Sequence, residues 1–463
     1  MKYFTRCLLL AILVCFSTNV SSQSFTIVDS LPEGAYGAAA WGDYDNDGFY
    51  DLVYIVQATP DDICNVYHNI GNAFTPVAQH FPHLFNPSVK WADLNNDGFD
   101  DLVMNGADSN LVNRTFIYQS IGNGTFTSMA NTIPGLTAGT LAIADYNNDG
   151  LKDIAITGMD SMGAHRAYIY KCTGPFTYAN IHAQVFGTHF GEMQWGDYNN
   201  DSLPDLVVNG IGDNNDFRTR VYRNMGADSF LLQPIFMFGT GGTVDWLDYD
   251  NDGWLDILVT GYDSTSVNNI TELHHNNGNG TFTTVTSNLP LFGEPSGVAV
   301  ADFNMDSIAD ICFIGGAAIF PSNYSAMAFG SGTATFNLQP FIAGGILNAV
   351  AEAADIDSDG DYDLLFNYRI LRNDGPVGLA GLFPGNNDVK VFPNPSQHQV
   401  HVKATIPVLN VNMYDVNGSL VRSGSGFSNE LDMDLSGLGS GNYFLDVRMA
   451  GGQQVFRKVT LQK

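Results

Sequence analysis

Between residues 37 and 374 short apolar runs alternate with polar turns, and the order of the runs repeats. A run of small and apolar residues, such as 37–41 (GAAAW), 140–144 (TLAIA) or 297–301 (GVAVA), leads into an acidic loop. A second run follows and in most copies ends on a Gly-type turn: 102–106 (LVMNG), 154–158 (IAITG), 206–210 (LVVNG), 257–261 (ILVTG). After a variable polar loop comes a third run (117–118, 169–170, 221–222), then a turn such as 122–126 or 278–282 (both GNGTF), then a fourth run. Four strands joined by hairpins in about 50 residues make one propeller blade.

Consecutive acidic loops start 50 to 54 residues apart, a period that points to a solenoid, a propeller or an array. Runs one to three occur seven times, and no fourth run follows the last copy at 349–374. Instead 25–28 (FTIV) stands alone before the first loop, in phase with 74–77, 126–129 and 282–285. The expected fold is therefore all-β: a seven-bladed β-propeller over 23–374, closed by the N-terminal strand, which leaves no sheet end unpaired. A Gly/Pro/Asn-rich linker follows at 375–389. Alternating apolar residues and Asn-Gly or Ser-Gly turns then predict a small C-terminal β-sandwich over 390–463. Trp41, Trp91, Trp195 and Trp246 each stand two residues before a loop's first Asp, and packing between blades explains that recurrence better than sugar stacking.

The seven loops read D-x-[DN]-x-D-[GS]-x-x-D. Positions 1, 3, 5 and 9 are Asp43, Asp45, Asp47 and Asp51; Asp93, Asn95, Asp97 and Asp101; Asp145, Asn147, Asp149 and Asp153; Asp197, Asn199, Asp201 and Asp205. The last three sets are Asp248, Asp250, Asp252 and Asp256; Asp302, Asn304, Asp306 and Asp310; Asp355, Asp357, Asp359 and Asp363. These positions hold 24 of the chain's 48 acidic residues, so the net charge of −29 is largely local. That charge excludes nucleic acid as a partner, because phosphate binding needs a basic surface. Hard divalent cations take several oxygen ligands at about 2.3–2.6 Å, and alternate loop positions supply them if the backbone curls round one point. Gly at position 6 permits the bend. An EF-hand would carry Glu at position 12, where the first loop has Tyr54. Up to seven Ca²⁺ sites in β-hairpin loops are expected. Loop six, with Met305 at position 4 and Ser307 at position 6, is expected to bind most weakly.

These loops resemble the FG-GAP/VCBS calcium-binding propeller repeats, related to the integrin α-subunit headpiece, over residues 24 to 374. The C-terminal part is similar to the sorting domain of the Bacteroidota type IX secretion system: Pro393-Asn394-Pro395, Tyr414 to Gly418 (YDVNG), Ser440 to Val447 (SGNYFLDV) and the final KVTLQK carry the likeness. That resemblance implies passage across the outer membrane through the type IX machinery, then release or surface attachment. The N-terminus reads as a secretory signal peptide over 1–22: Lys2 and Arg6, an apolar run from Cys7 to Phe16, then small residues before Gln23. No later segment is long and apolar enough to span a membrane. Cys64, Cys172 and Cys312 fall in three different repeats and read as small buried residues rather than a disulfide framework.

No HExxH, GxSxG, P-loop or CxxC motif is present in the mature chain. His398 and His401 fall on a strand of the tail, and the adjacent pair His274 and His275 points to opposite faces of another, so both are read as structural. The loops between second and third strands, such as 107–115, 159–166 and 211–220, vary in length on one face, the usual place for recognition. Arg114, Arg166, Arg218 and Arg220 stand there, with charge balance against nearby Asp as their plainer role. The expected function is a monomeric, secreted or cell-surface recognition or adhesion module for an extracellular glycan or protein. The competing expectation is an extracellular polysaccharide lyase or hydrolase on the same scaffold.

Overall fold

The structure, a computed structural model, describes residues 22–58, 62–71, 73–235, 237–263, 269–317, 324–340, 350–377, 389–392, 396, 398–414, 420–449 and 454–461. Residues 1–21 of the expected signal peptide (1–22), most of the linker (378–388), the Pro393–Pro395 motif, 415–419 of YDVNG and part of the sixth variable loop (318–323) lie outside the described residues. Two compact units emerge, Phe25–Gly375 and the segment from Pro376.

Among the described residues, the first unit holds seven antiparallel sheets of four strands, one with an extra short strand. Blade one is Ala35–Gly42, Asp51–Gln57, Ile63–Asn69 and Phe74–Pro76, and each later repeat follows the same order. Second strands are apolar throughout because both faces are covered: Leu52, Val53, Tyr54 and Ile55 are all at most 1% exposed. The last repeat supplies Ala351–Ala354, Asp363–Phe366 and Arg369–Val377, and its fourth strand is the N-terminal Ser22–Ser30. Leu31 N–H donates to the Tyr368 carbonyl at 2.7 Å, and Phe25 packs edge-on against Phe303. No sheet closes on itself, and apart from backbone bonds such as Phe190 N–H to the Ala138 carbonyl (2.8 Å), side chains join one blade to the next.

Two devices do so. The loop tryptophans lie on the aromatic at position 2 of the preceding loop: Trp91 on Tyr44, Trp195 on Tyr146, Trp246 on Tyr198, with ring planes 24°, 13° and 5° apart. The Trp91 indole N–H also donates to the Ala40 carbonyl (3.1 Å), as Trp41 does to Glu352 (3.3 Å) across the junction of last and first blades. Packing between blades thus accounts for their recurrence. Hydrogen-bond latches form the second device. Asn69, Asn224, Asn276 and Asn373 donate from Nδ2 to the position-2 carbonyl of the preceding loop, at 2.8, 2.7, 2.8 and 2.7 Å. The Asn69 bond reaches Ile356 of the last repeat, and Ser358 Oγ reaches Gly48 of the first at 2.8 Å.

The C-terminal unit differs in detail from the expected sandwich. It is one continuous five-stranded antiparallel sheet, of which Gln399–Tyr414 is the long central strand. Its register breaks between Lys403 and Val408. Residues on both sides of the break, including Val400, Val402, Val411 and Met413, share one core with Leu445, Val447 and Val459. Cys64, Cys172 and Cys312 are buried and unbridged. Among the described residues no helix is long and apolar enough to cross a membrane.

Candidate metal centres

Each acidic loop connects the innermost strand of a blade to its fully buried second strand, and its carboxylates divide the work by position. The position-9 Asp opens the second strand and is an anchor: Asp51, Asp101, Asp153, Asp205, Asp256, Asp310 and Asp363 are all 0% exposed. In blade one its oxygens accept from the Tyr44 N–H (3.2 Å) and from Asn69 N–H on the third strand (2.8 Å). The third-strand bond recurs from Ser120, Cys172, Asn224, Asn276, Gly330 and Asn373, at 2.6 to 2.8 Å. The position-1 Asp accepts from the N–H groups of positions 5 and 6, as Asp43 does from Asp47 (3.1 Å) and Gly48 (3.0 Å). Position 5 accepts from position 7, as Asp47 does from Phe49 at 2.9 Å. One hydrogen-bonded curl is thereby built seven times.

Two left-handed residues make the curl. Position 6 has φ of +86° to +97° at its five glycines, and Ser202 (+71°) and Ser307 (+67°) take the same region. Position 4 is also left-handed, from Asn46 at +56° to Met305 at +59° and Ser358 at +58°. Asn tolerates that region because its short polar side chain bonds locally. Here it also latches onto the next loop: Asn96 to the Gly150 carbonyl (2.9 Å), Asn148 to Ser202 (2.7 Å), Asn200 to Gly253 (2.9 Å). Met305 has no amide to offer and is 54% exposed. Met305→Asn is expected to raise stability by about 1 kcal/mol, by relieving the left-handed strain and adding one hydrogen bond; urea denaturation reads it, and an unchanged midpoint would count against the latch.

The carboxylates converge enough for a cation. Ligand atoms of Asp43, Asp45 and Asp47, of Asp248, Asp250 and Asp256, and of Asp355, Asp357 and Asp359 lie within 4.8 Å of one another. Those are the three loops with Asp at position 3; the other four carry Asn95, Asn147, Asn199 and Asn304. Burial pushes the carboxyls of all seven anchors up to about 7. Asp45 Oδ1 and Asp250 Oδ1 are buried without a hydrogen-bond partner. Buried carboxylate oxygens left in that state fit a divalent cation, which would supply the missing charge and coordination.

The residue on the third strand just before the anchor's N–H donor varies: His68, Gln119, Lys171, Arg223, His275, Phe329, Arg372. Arg223 pairs with Asp201 at 3.0 Å and Lys171 approaches Asp149 at 4.0 Å. His275, read from sequence as structural, instead comes to its loop, with Nδ1 at 3.4 Å from Asp250 and 3.3 Å from Asp256. His68 does the same at 3.5 Å from Asp45 and 3.1 Å from Asp51. By contrast Arg114, Arg166, Arg218 and Arg220 are paired with Asp108, Asp160, Asp216 and Asp216, at 3.2, 3.0, 3.1 and 3.5 Å. Charge balance accounts for them.

A second polar centre lies where the innermost strands meet. Three residues before each loop stand Ala40, Lys90, Ala142, Gln194, Asp245, Ala299 and Glu352. Lys90 comes from blade two, and its ammonium is raised chiefly by Glu352 of the last blade, then by Glu192 and Asp245 of blades four and five. Gln194 Nε2 donates to Asp245 (3.0 Å) and Glu192 (3.3 Å). Burial raises the Glu192, Asp245 and Glu352 carboxyls, with Lys90 acting against it. Cavities of about 790 and 480 Å³ share Lys90 and Glu352 in their walls, and Phe190, Tyr262 and Asn86 line the larger. The available signal was a polar residue at one fixed offset within strands otherwise made of small residues.

Matches to the FG-GAP-like repeat cover residues 43–104, 93–156, 145–208, 197–259 and 248–313, each beginning on the first Asp of a loop. The chain belongs to the FG-GAP-like repeat family. Residues 390–462 match the secretion system C-terminal sorting domain, so this FG-GAP-like protein carries a type IX export tail and is secreted or displayed at the cell surface. Among solved structures it is similar to the Dos1 propeller, at 10% identity over 94% of each chain with a TM-score of 0.41. AofleA from Arthrobotrys oligospora matches at 8% identity over 70% of this chain and 90% of its own, TM-score 0.41. PorZ, a bacterial surface component of the type IX secretion system of Porphyromonas gingivalis, matches at 13% identity over 95% of this chain and 61% of its own, TM-score 0.40. All three likenesses are distant, and the fold is read from the sheets themselves. No curated protein matches the chain.

Proposed function

We propose that this exported FG-GAP-like protein is a calcium-stiffened recognition module for an extracellular glycan or protein. The observation that carries the calcium reading is the buried position-3 oxygen without a partner, Asp45 Oδ1 and Asp250 Oδ1, beside an anchor with no exposure. Positions 1, 3, 5 and 9 would hold a divalent cation, Ca²⁺ where oxygens alone line the loop, and the ion would replace repulsion between carboxylates with attraction. Since the loop arginines are already paired, the larger axial cavity, with Phe190 and Tyr262 on its wall and charged groups on its floor, is the better place for a ligand. Recognition is favoured over turnover because Gln194 holds Glu192 and Asp245 by hydrogen bonds and Lys90 offsets the charge of the axial carboxylates.

The test is a glycan and matrix-protein array probed with the full chain, with calcium and with chelator, followed by assay of product sugars. A calcium-dependent hit that stays intact is expected. Release of unsaturated or reducing sugars from a hit would replace this reading with a lyase or hydrolase.

A further inference from the structure

Loops one and five combine two features that occur together in no other loop. Both carry Asp at position 3, and both have a histidine as the residue before the anchor's third-strand donor. None of the four loops with Asn at position 3 has that histidine; there the site holds Gln119, Lys171, Arg223 or Phe329. In loop seven, which also has Asp at position 3, the place is filled by Arg372, paired with Asp374 at 2.6 Å.

The two histidines make the same approach. His68 Nδ1 stands 3.5 Å from Asp45 and 3.1 Å from Asp51; His275 Nδ1 stands 3.4 Å from Asp250 and 3.3 Å from Asp256. Ligand atoms at about 2.1 Å from one ion are ~3.0 Å apart along an octahedral edge and ~3.4 Å along a tetrahedral one. The observed spacings fall in or close to that range. Ligand atoms of Asp45, Asp51 and His68 lie mutually within 4.8 Å, as do those of Asp250, Asp252 and His275. A hydrogen bond alone would satisfy Asp51, whose Oδ1 already takes the Asn69 N–H. It would leave Asp45 Oδ1, Asp250 Oδ1 and His275 Nδ1 buried without hydrogen-bond partners.

We propose that loops one and five are mixed nitrogen and oxygen sites for a divalent transition ion of the zinc and cobalt class, with His68 and His275 as ligands. Imidazole nitrogen with two carboxylates suits such an ion, whereas calcium prefers oxygen alone. The imidazole must bind through a nitrogen free of its proton, so loading releases protons. The inference rests on the reading of the loops as cation sites, and the experiment separates the two.

Cobalt is titrated into the full chain in excess calcium and followed by visible d–d absorption. Two equivalents giving a band of nitrogen-and-oxygen character are expected, and zinc should bleach it. His68→Gln and His275→Gln should each remove one equivalent, or weaken it by about tenfold or more, while calcium still raises the melting temperature. A wild-type spectrum showing oxygen ligands alone, or a band unchanged in the doubly substituted chain, would overturn the proposal. If neither cobalt nor calcium binds, the cation reading of all seven loops falls with it.

Discussion

Chelating calcium from the full chain is expected to lower its melting temperature by about 15 °C when four of the seven loops are filled at a hundred times their dissociation constant. Each such site contributes about 2.7 kcal/mol by mass action. Four therefore give ~11 kcal/mol, set against an unfolding entropy of roughly 2 cal/mol/K per residue over about 350 residues. The loss should exceed that of an ordinary ligand because the curl is built around the carboxylates it leaves behind. Without the ion the seven anchors stay at 0% exposure, with burial pushing their carboxyls up to about 7. Differential scanning calorimetry with and without chelator decides it; a shift of only a degree or two would mean that the loops stand without an ion.

Lys90→Met is the substitution expected to cost most, about 1–3 kcal/mol, because it leaves three half-buried carboxyls without the cation that offsets them. Glu352, Glu192 and Asp245 are all raised by burial, and Lys90 is the cation that opposes this in each. The sign with pH follows. A carboxyl whose folded pKa is raised binds its proton more tightly when folded, so its destabilising effect is present at high pH and fades as pH falls. Without Lys90 the three carboxyls rise further, and the gap between variant and wild type should narrow as pH falls and they take up protons. A gap that stays constant or widens on acidification would show that these groups do not act on Lys90. Lys90→Met combined with Glu352→Gln should recover part of the loss, since it removes the carboxylate that acts most strongly on Lys90.

The repeat was legible because metal loops impose a fixed spacing of oxygens and blades a fixed length, so period and motif confirm each other. Positions 1, 3, 5 and 9 could be read directly, but not their division of labour. Asp51 and Asp47 look alike in sequence, yet one is a buried anchor and the other lies on the exposed rim. Position 4 drew notice only where Met305 stands in loop six; that Asn96 reaches Gly150 depends on how adjacent blades dock. His68 and His275 were illegible for a different reason. A variable loop separates second and third strands, so the distance from anchor to histidine is 17 residues in blade one and 19 in blade five. The axial cluster joins Lys90 to Glu352 across 262 residues; the fixed offset before each loop marks the positions, but not that they meet. In the tail, alternation marked the strands, but the register break between Lys403 and Val408 within the long central strand has no fixed sequence form.

The pairing of Ser22–Ser30 with Arg369–Val377 gives the polypeptide a test of its own completeness. The first strand out of the ribosome is the last to find a neighbour, and it waits through some 340 residues of synthesis and transport before that neighbour exists. A chain cut short anywhere before the final repeat keeps an open edge at each end of the array. Such an edge invites proteases or another chain. A chain that stops before Val377 cannot complete this pair, so a protease that meets it would find Ser22–Ser30 without its neighbour.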